Sequence, residues 1–304
     1  MSASSLPLRH LMLALCVVAV WGTNFVIIRI GLDHLPPLLF ASLRFLLAAF
    51  PLVFFLPRPR TSPGNLAAYG ILIGAGQFGI LFVAMRGHIS PGLASLVIQC
   101  QVFFTIGLAI VLTGERVRGF QWAALLLAAS GIVVIALHTE GDTSVLGLCL
   151  VLVAAMSWAG GNIVAKRSGV TDMLPYVVWS SLFAIPPLAV LSVMLEGWPA
   201  IRAGLANADL STWAAVLWQS VGNTMFGYGA WAFLLGRYPA ATVTPLALLV
   251  PVFGMGASYV FLAEPLPGWK LAAAALVLCG LAVGILYPRW QGRRMARRDE
   301  AERR

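Results

Sequence analysis

The chain has 304 residues, of which 60% are hydrophobic and only 10% are charged. Soluble domains carry about 25% charged residues, so this composition excludes a soluble globular protein and indicates a membrane protein. Lys and Arg outnumber Asp and Glu by 20 to 11, which leaves a net charge of +9.

Ten stretches of the chain are long and apolar enough to cross a bilayer, which takes about 20 mostly apolar residues. A backbone inside the bilayer must satisfy its own hydrogen bonds, so we predict an all-α integral membrane protein with ten transmembrane helices. The first stretch shows no convincing small-residue cleavage site and is interpreted as a span rather than a signal peptide. In chain order the predicted spans cover residues 11–28, 35–56, 66–85, 91–113, 120–137, 143–165, 173–195, 210–236, 238–263 and 271–288.

The distribution of basic residues predicts the orientation, because basic loops stay on the cytoplasmic side. With the N-terminus inside, fifteen of the twenty Lys and Arg lie on the cytoplasmic side, Arg44 lies within a span, and four lie outside: Arg29, Arg86, Arg202 and Lys270. Both termini are therefore predicted to be cytoplasmic. Residues 289–304 form a basic tail, for which anionic lipid is the expected partner and nucleic acid is not.

An internal repeat runs through the sequence. The stretch "VWGTNFVIIR" is similar to "SWAGGNIVAKR", with Trp21 matching Trp158 at an offset of 137. The stretch "GERVRGFQWAALLLAASG" is similar to "AEPLPGWKLAAAALVLCG" at an offset of 149, which pairs Gly131 with Gly280. Both halves therefore run in the same order along the chain.

The predicted repeats are residues 8–137, with helices one to five, and residues 143–288, with helices six to ten. Because five is an odd number, the second repeat enters the membrane from the opposite face. Inverted repeats of this kind are typical of secondary transporters, in which one set of interactions supports an inward-open and an outward-open state.

The sequence resembles the ten-helix exporters of the drug/metabolite transporter superfamily, in particular its EamA family. The resemblance covers residues 8 to 290 and is carried by "VWGTNFVIIRIGLDHLPPLLFASLRF", "GLASLVIQCQVFFTIGLAIVLTGER", "SWAGGNIVAKR" and "GYGAWAFLLGRYPAATVTPLALLVPV". Within that family it looks most similar to exporters of O-acetylserine and cysteine. The resemblance implies a multi-pass protein of the bacterial inner membrane that exports a small zwitterionic metabolite by alternating access, with membrane lipid as a further partner and homodimerisation left open.

The clearest candidate for substrate binding is Arg44, which lies in the middle of the second predicted span. An Arg at a helix centre costs about 2.5–3.5 kcal/mol on insertion scales, so it should face the bundle interior or water. One interpretation is a bidentate partner for a substrate carboxylate. The other is a structural arginine that bonds carbonyls of a neighbouring helix or reaches an interface, and the sequence favours neither.

Neutral polar and aromatic residues complete the candidate site. The amides Asn24, Gln77, Gln99, Gln101, Asn162 and Asn223 could hold an ammonium and a carboxylate without a fixed charge, although hydrogen bonding between helices is the commoner use of an amide in a span. Two positions on an α-helix differ by about 200°, so Gln99 and Gln101 are not both expected to face the lumen. Trp158, Tyr228 and Trp231 could offer a cation face to an amine, or form an interfacial belt.

Prolines and acids near the helix ends are also candidates. Pro245 and Pro251 lie within the ninth predicted span and could expose carbonyls to substrate, act as a hinge, or only kink the helix. Glu115 and Glu264 match in the repeat and are interpreted as structural acids at helix ends. After Glu264 the sequence "AEPL" lacks the basic residue that the family usually places there, which argues against an ion pair at this position.

Signatures of other function classes are missing from the sequence. "GAGQFG" fits a dinucleotide pattern but lies inside an apolar span rather than after a strand. The four His lie near span ends and the four Cys show no CxxC spacing, so we expect no enzyme, no metal and no cofactor. A non-transport membrane scaffold and an exporter of another solute, such as other amino acids, aromatic or cationic drugs or sugar derivatives, remain as alternatives. Without a Walker A motif, export would run down the metabolite's gradient or use a proton.

Overall fold

The computed structural model describes residues 6–113, 119–139 and 143–302, which are helical and contain no strand. Within these residues, nine helices are long and apolar enough to cross a membrane. The eighth predicted span, residues 210–236, is also helical, from Leu210 to Arg237, but it does not meet that standard of hydropathy. It is more polar than the others because Gln219, Ser220, Asn223 and Thr224 are buried on one side of it.

The helices of the first half are labelled α1 to α5. Helix α1 is Leu8–Gly31, α2 is Pro37–Ala49 with a 3₁₀ turn at Leu52–Phe54, and α3 runs through Pro63–Ile71, a π-helical segment Leu72–Gly79 and Ile80–Met85. Helix α4 runs through Pro91–Val97, a 3₁₀ turn Ile98–Cys100 and Gln101–Thr113, and α5 is Gly119–Ala136.

The helices of the second half are labelled α6 to α10. Helix α6 is Val145–Ser168, α7 is Met173–Leu191 with a π-helical end Ser192–Glu196, and α8 runs through Leu210–Leu217, a π-helical segment Trp218–Phe226 and Gly227–Arg237. Helix α9 runs through Ala240–Val243, a 3₁₀ segment Thr244–Leu249 and Val250–Leu262, and α10 is Gly268–Glu302.

Two features at the edges of the bundle were not predicted from the sequence. A further short helix, Trp198–Asn207, lies between α7 and α8; Pro199 in its first turn favours this start. The backbone of the predicted basic tail continues α10 as far as Glu302.

Short-range signals start the helices. Pro37, Pro63 and Pro91 occupy the first turn of α2, α3 and α4, where a missing N–H costs nothing. At the start of α8, the carboxylate of Asp209 accepts a hydrogen bond from the Thr212 backbone amide at 2.8 Å. This bond, and then bonds from the Thr212 and Ser211 hydroxyls, hold the pKa of Asp209 well below its usual range, so the cap stays charged.

The helices alternate between two faces of the bundle. The face at which α1 begins is called the terminal face, and there the His10 ring lies 2.5 Å from the Tyr238 hydroxyl at the end of α8. The opposite end is called the far face, and there the Ser144 amide donates to the His88 carbonyl at 2.8 Å. Contacts between distant parts of the chain therefore join helices at both ends of the bundle.

Irregular helical geometry recurs at matching places in the two halves. The third helix of each half contains a π-helical segment, Leu72–Gly79 in α3 and Trp218–Phe226 in α8. The fourth helix of each half contains a 3₁₀ segment, Ile98–Cys100 in α4 and Thr244–Leu249 in α9. Such breaks expose backbone groups and often mark functional sites. The stretch "GAGQFG" lies in the first of these segments, inside a helix and not after a strand.

Helices α5 and α10 pack against each other through the two glycines that the repeat pairs. A Cβ on Gly131 would lie 2.9 Å from the Ala273 carbonyl oxygen and 2.7 Å from a methyl group of Val277. A Cβ on Gly280 would lie 2.6 Å from the Ala124 carbonyl oxygen and 3.0 Å from the Ala128 amide. Ala273 and Val277 match Ala124 and Ala128 at the same offset of 149, so each helix presents the same surface to the other.

Candidate functional site

A cavity of about 480 Å³ lies inside the bundle. Both halves of the chain contribute to its lining, and the lining includes residues of the π and 3₁₀ segments, such as Gln77, Gln99 and Ala247. In the second half, the lining extends to Met173, the first residue of α7, and to Ile285 near the end of the apolar part of α10. The lining therefore reaches the terminal face in the second half, while in the first half Ile28 and Leu81 carry it toward the far face. Its volume falls in the range usual for small-molecule sites.

The polar part of the lining consists mainly of amides. All six amides named from the sequence line the cavity, namely Asn24, Gln77, Gln99, Gln101, Asn162 and Asn223, together with Thr244. Among the described residues that line the cavity, none carries a charged side chain. A site of this kind can donate to a carboxylate and accept from an ammonium, while a solute with a net charge would lack a counter-charge there.

Two hydrogen-bond networks fix the orientation of these amides. The Asn162 side chain donates to the Gln101 amide oxygen at 2.8 Å and to the Thr105 hydroxyl at 3.2 Å. On the other side, the Gln219 side chain donates to the Asn24 amide oxygen at 2.7 Å. The amide oxygen of Gln77 is buried and has no hydrogen-bond partner within the described chain. Gln77 lines the cavity, so a ligand could donate to this acceptor only after a rearrangement that exposes it.

The expectation that Gln99 and Gln101 cannot both face the lumen is wrong, because both line the cavity. The reason is the 3₁₀ turn Ile98–Cys100 between the two parts of α4. A 3₁₀ helix turns by about 120° per residue, so two positions differ by about 240° rather than 200°. The two side chains are then only about 120° apart around the helix, and a wide lumen can contact both.

The three aromatic residues named from the sequence, Trp158, Tyr228 and Trp231, all line the cavity. Four further aromatic residues line the cavity and were missed as site residues, namely Trp21, Phe25, Tyr69 and Phe78. The ring centroid of Trp21 lies 5.1 Å from that of Trp231 and 5.9 Å from that of Tyr228. The repeat itself carried the signal, because it matched Trp21 with Trp158, and both face the same cavity.

Arg44 lies beside the cavity rather than in its wall. Its side chain is buried, 1% exposed, and it is not among the lining residues. Its guanidinium carbon lies 3.7 Å from the centroid of Phe78, which does line the cavity, and 4.7 Å from the centroid of Phe45, which does not. A solute in the cavity as described is thus separated from Arg44 by the ring of Phe78.

The two candidate prolines lie in and just after the 3₁₀ segment of α9. Pro245 belongs to that segment, and Pro251 is buried at the start of the α-helical part that follows. Neither lines the cavity, but their neighbours Thr244, Ala247 and Val250 do. The prolines therefore accompany the break in α9 without facing the lumen.

Two carboxylates join helices at the far face, Glu264, which is buried, and Glu196, which is partly buried. Glu264, after α9, accepts hydrogen bonds from the Ser90 hydroxyl at 2.5 Å and the Gly92 amide at 2.9 Å, and its Oε1 lies 2.9 Å from Lys270 Nζ. The missing basic residue after Glu264 therefore did not exclude an ion pair, because Lys270, six residues on, supplies the charge. Glu115, its match in the repeat, lies outside the described residues.

The second carboxylate is Glu196 at the end of α7, which sequence reasoning did not identify. It accepts hydrogen bonds from the Leu38 and Leu39 amides at 2.6 and 3.1 Å, and so caps the start of α2. The Ser192 hydroxyl also donates to it at 2.6 Å. Each half of the bundle is thus joined to the other at the far face by an acid that caps a helix.

Comparisons with known proteins agree with this architecture. The model of the EamA-like transporter family matches residues 8–137 and again residues 145–286. The chain belongs to the EamA-like transporter family. It is a multi-pass protein, and its bacterial relatives named as efflux pumps place it in the inner membrane.

Among its relatives are two proteins named probable amino-acid metabolite efflux pump. The one from Salmonella typhimurium is 44% identical, with 90% of this chain and 93% of the relative covered. The one from Escherichia coli K12 is 41% identical, with 92% and 95% covered. A probable terminal-alkyne amino-acid exporter of Streptantibioticus cattleyicolor is 28% identical, with 91% and 93% covered.

A crystal structure of another protein has a similar fold, with a TM-score of 0.61 at 19% identity, covering 93% of this chain and 98% of that protein.

Within the described residues, no group of three or more His, Cys, Asp or Glu is placed to hold a metal ion.

Proposed function

We propose that this EamA-family protein exports small amino-acid metabolites, with O-acetylserine and cysteine as the first candidates, and that the central cavity binds them. The observation that carries the proposal is the amide-lined, uncharged cavity between the two halves of the chain. A zwitterion has no net charge, and its two charged groups can both be solvated by amides. The names of the relatives support amino-acid metabolites as the class of substrate.

The residues proposed to contact the substrate are Asn24, Gln77, Gln101, Trp158, Asn162, Tyr228 and Trp231. The amides would orient the polar head group, and the aromatic faces would contact the ammonium or the apolar part. Trp21 and Gln99 are added to this set because they line the same cavity.

We further propose that transport proceeds by alternating access between two inverted repeats. The recurrence of π and 3₁₀ segments and the reciprocal contact of Gly131 with Gly280 support such a repeat. The lining of the cavity extends to Met173 at the terminal face, and the carboxylates of Glu196 and Glu264 join helices of the two halves at the far face. With the termini in the cytoplasm, this is the state in which an exporter loads its substrate.

A second candidate substrate class is larger or aromatic amino acids. Seven aromatic side chains line the cavity, namely Trp21, Phe25, Tyr69, Phe78, Trp158, Tyr228 and Trp231. A single cysteine or O-acetylserine would fill only part of the 480 Å³. The substrate range is therefore expected to extend to amino acids with an apolar side chain.

The direct test is counterflow in proteoliposomes preloaded with unlabelled O-acetylserine or cysteine. Accumulation of the labelled compound, absent from empty liposomes, is the expected result. If other amino acids exchange but O-acetylserine and cysteine do not, the protein is an amino-acid exporter and the two proposed substrates are wrong. If no amino-acid metabolite exchanges, the proposed function is wrong. A pH-sensitive dye inside the vesicles shows in the same experiment whether protons move with the substrate.

A further inference from the structure

Arg44 is a buried cation without a counter-ion. It is 1% exposed, and it forms no ion pair with an acidic side chain in the described parts of the chain. One hydrogen bond is present, from Nη2 to the Thr224 hydroxyl at 3.0 Å, while Nε and Nη1 are buried without a partner among the described residues. Unpaired charge and unpaired N–H groups inside a membrane protein are costly, so a partner is expected at some stage of the transport cycle.

The ring of Phe78 is placed between this cation and the cavity. Two rings lie near Arg44, and of these only Phe78 lines the cavity. The guanidinium carbon is 3.7 Å from the centroid of Phe78 and 4.7 Å from that of Phe45. A cation–π contact of this kind stabilises the guanidinium partly but satisfies none of its N–H groups. Phe78 therefore both shields Arg44 and forms part of the wall.

The backbone that carries Phe78 is of the kind that can rearrange. Phe78 lies in the π-helical segment Leu72–Gly79, directly after Gln77, whose amide oxygen has no partner within the described chain. The i→i+5 bonding of a π segment differs locally from the surrounding α-helix, and a return to α geometry rotates the side chains that follow. The guanidinium carbon lies 3.7 Å from the centroid of this lining ring, so the guanidinium would be adjacent to the lumen once the ring moves aside.

Resting on the proposed export function, we propose that Arg44 is the receptor for the substrate carboxylate and that Phe78 is a movable cover over it. In the empty state the Phe78 ring covers the guanidinium of Arg44. In the loaded state the substrate carboxylate takes the place of the ring and pairs with the free N–H groups. The substrate must then carry a free carboxylate, while its other end lies against the amides and aromatic rings. The cover leaves the cavity uncharged when empty.

A purely structural role for Arg44 predicts a different effect of its removal on ligand binding. If the guanidinium only holds α2, α3 and α8 together, its removal should weaken the protein for every ligand alike. If it receives a carboxylate, its removal should weaken only those ligands that have one. The ratio between a free amino acid and its methyl ester therefore separates the two roles.

The test measures competition in counterflow of labelled O-acetylserine. In the wild type, unlabelled cysteine is expected to compete at least about tenfold better than cysteine methyl ester, which is the effect expected of a charge-assisted pair. In Arg44→Gln the two should compete within about twofold of each other. Arg44→Lys, which keeps the charge without the planar fork, should fall between them. An unchanged ratio in Arg44→Gln would overturn the proposal.

The role of Phe78 is tested with a matched pair of variants. Phe78→Leu and Phe45→Leu each remove one ring from Arg44, but only Phe78 lies toward the cavity. Phe78→Leu should lower the KM for the free amino acid several-fold with little change for the ester, whereas Phe45→Leu should leave the ratio unchanged. Equal effects of the two variants would reject Phe78 as the cover.

Binding measured apart from transport separates failure of this inference from failure of the proposed function. Three tryptophans line the cavity, so intrinsic fluorescence of the purified protein can be titrated with N-acetylcysteine and with cysteine methyl ester. One outcome is that N-acetylcysteine quenches the wild type but not Arg44→Gln, while the wild type exchanges no amino acids in counterflow. This outcome would support the carboxylate site and reject the proposed export function. Absence of carboxylate-dependent quenching in the wild type would overturn the carboxylate site. Thermal unfolding of each variant reports whether it is folded.

Discussion

Glu264 and Lys270 form a buried ion pair across the turn that joins α9 to α10, with 2.9 Å between Oε1 and Nζ. The same carboxylate caps α4 through the Gly92 amide. One acid thus connects the second half of the chain to the first at the far face. In an alternating-access cycle this connection has to break when the far face opens.

Replacement of this acid is expected to loosen the far face. In Glu264→Gln the buried Lys270 loses its counter-charge, and breaking a buried pair costs about 3–5 kcal/mol. The measurement is labelling of an Ile28→Cys reporter by a membrane-impermeant maleimide from the far side, in a background without native cysteines. Ile28 is buried and lines the cavity, and its labelling should become at least tenfold faster.

Arg29→Gln is the matched control. It breaks the pair of Arg29 with Asp33, whose side chains are 45% and 51% exposed, and exposed pairs contribute about 0–1 kcal/mol. Labelling of the reporter should hardly change. Equal labelling rates in Glu264→Gln and Arg29→Gln would show that the buried pair does not hold the far face closed.

Removal of a cavity amide is expected to act on substrate affinity. Asn162→Ala deletes the donor that orients Gln101 and Thr105, so the KM in counterflow should rise several-fold. Asn65→Ala removes an equally well bonded amide, with contacts to the Val164 carbonyl and the Tyr176 hydroxyl, outside the cavity. Each change should lower the free energy of unfolding by about 1–3 kcal/mol. A KM that shifts alike in both variants would reject Asn162 as a substrate contact.

A methyl group between α5 and α10 is expected to destabilise the protein. In Gly131→Ala the new Cβ meets the Ala273 backbone at 2.9 Å, so one helix must move, at a cost of about 1–3 kcal/mol. Gly107 lies in α4 with open space around the same position, and Gly107→Ala should be neutral or stabilise by up to about 1 kcal/mol. Thermal unfolding in detergent compares the two. Equal transition temperatures would contradict the close helix contact.

The break in α9 is expected to serve the rate of conformational change. Pro245→Ala restores an amide donor in the 3₁₀ segment Thr244–Leu249 and so favours a regular helix. Turnover in counterflow should fall several-fold while the KM stays within about twofold, since Pro245 does not line the cavity. Pro187→Ala, within the regular helix α7, should leave turnover nearly unchanged. A change in KM without a change in turnover would argue for binding rather than for a hinge.

The helical spans followed from the sequence, because apolar length is a local property; the orientation drawn from the basic residues stays a prediction. The amides that line the cavity could be named from the sequence because an amide stands out within an apolar span, although hydrogen bonding between helices is its commoner use. Trp21 shows a missed opportunity, because the repeat already matched it with Trp158. The span 210–236 is harder to identify by hydropathy alone. Its buried polar side, which includes Gln219 and Thr224, lowers its mean hydropathy below that of the other spans.

Other features depend on contacts that no local pattern encodes. Whether Arg44 faces the lumen is decided by Phe78, from another helix. The environment of Glu264 comes from Gly92, which is 172 positions away, and from Lys270, beyond two prolines that interrupt helical spacing. The joint exposure of Gln99 and Gln101 required a 3₁₀ turn whose position the sequence did not indicate.

The reciprocal contact of Gly131 and Gly280 also bears on how such a chain could have arisen. Each glycine meets the residues seven and three positions before the other, so a single helix surface is complementary to its own antiparallel copy. An ancestor with half the length, inserted in both orientations, would already have formed this contact as a dimer. Gene duplication and fusion would then have preserved an existing interface rather than created a new one.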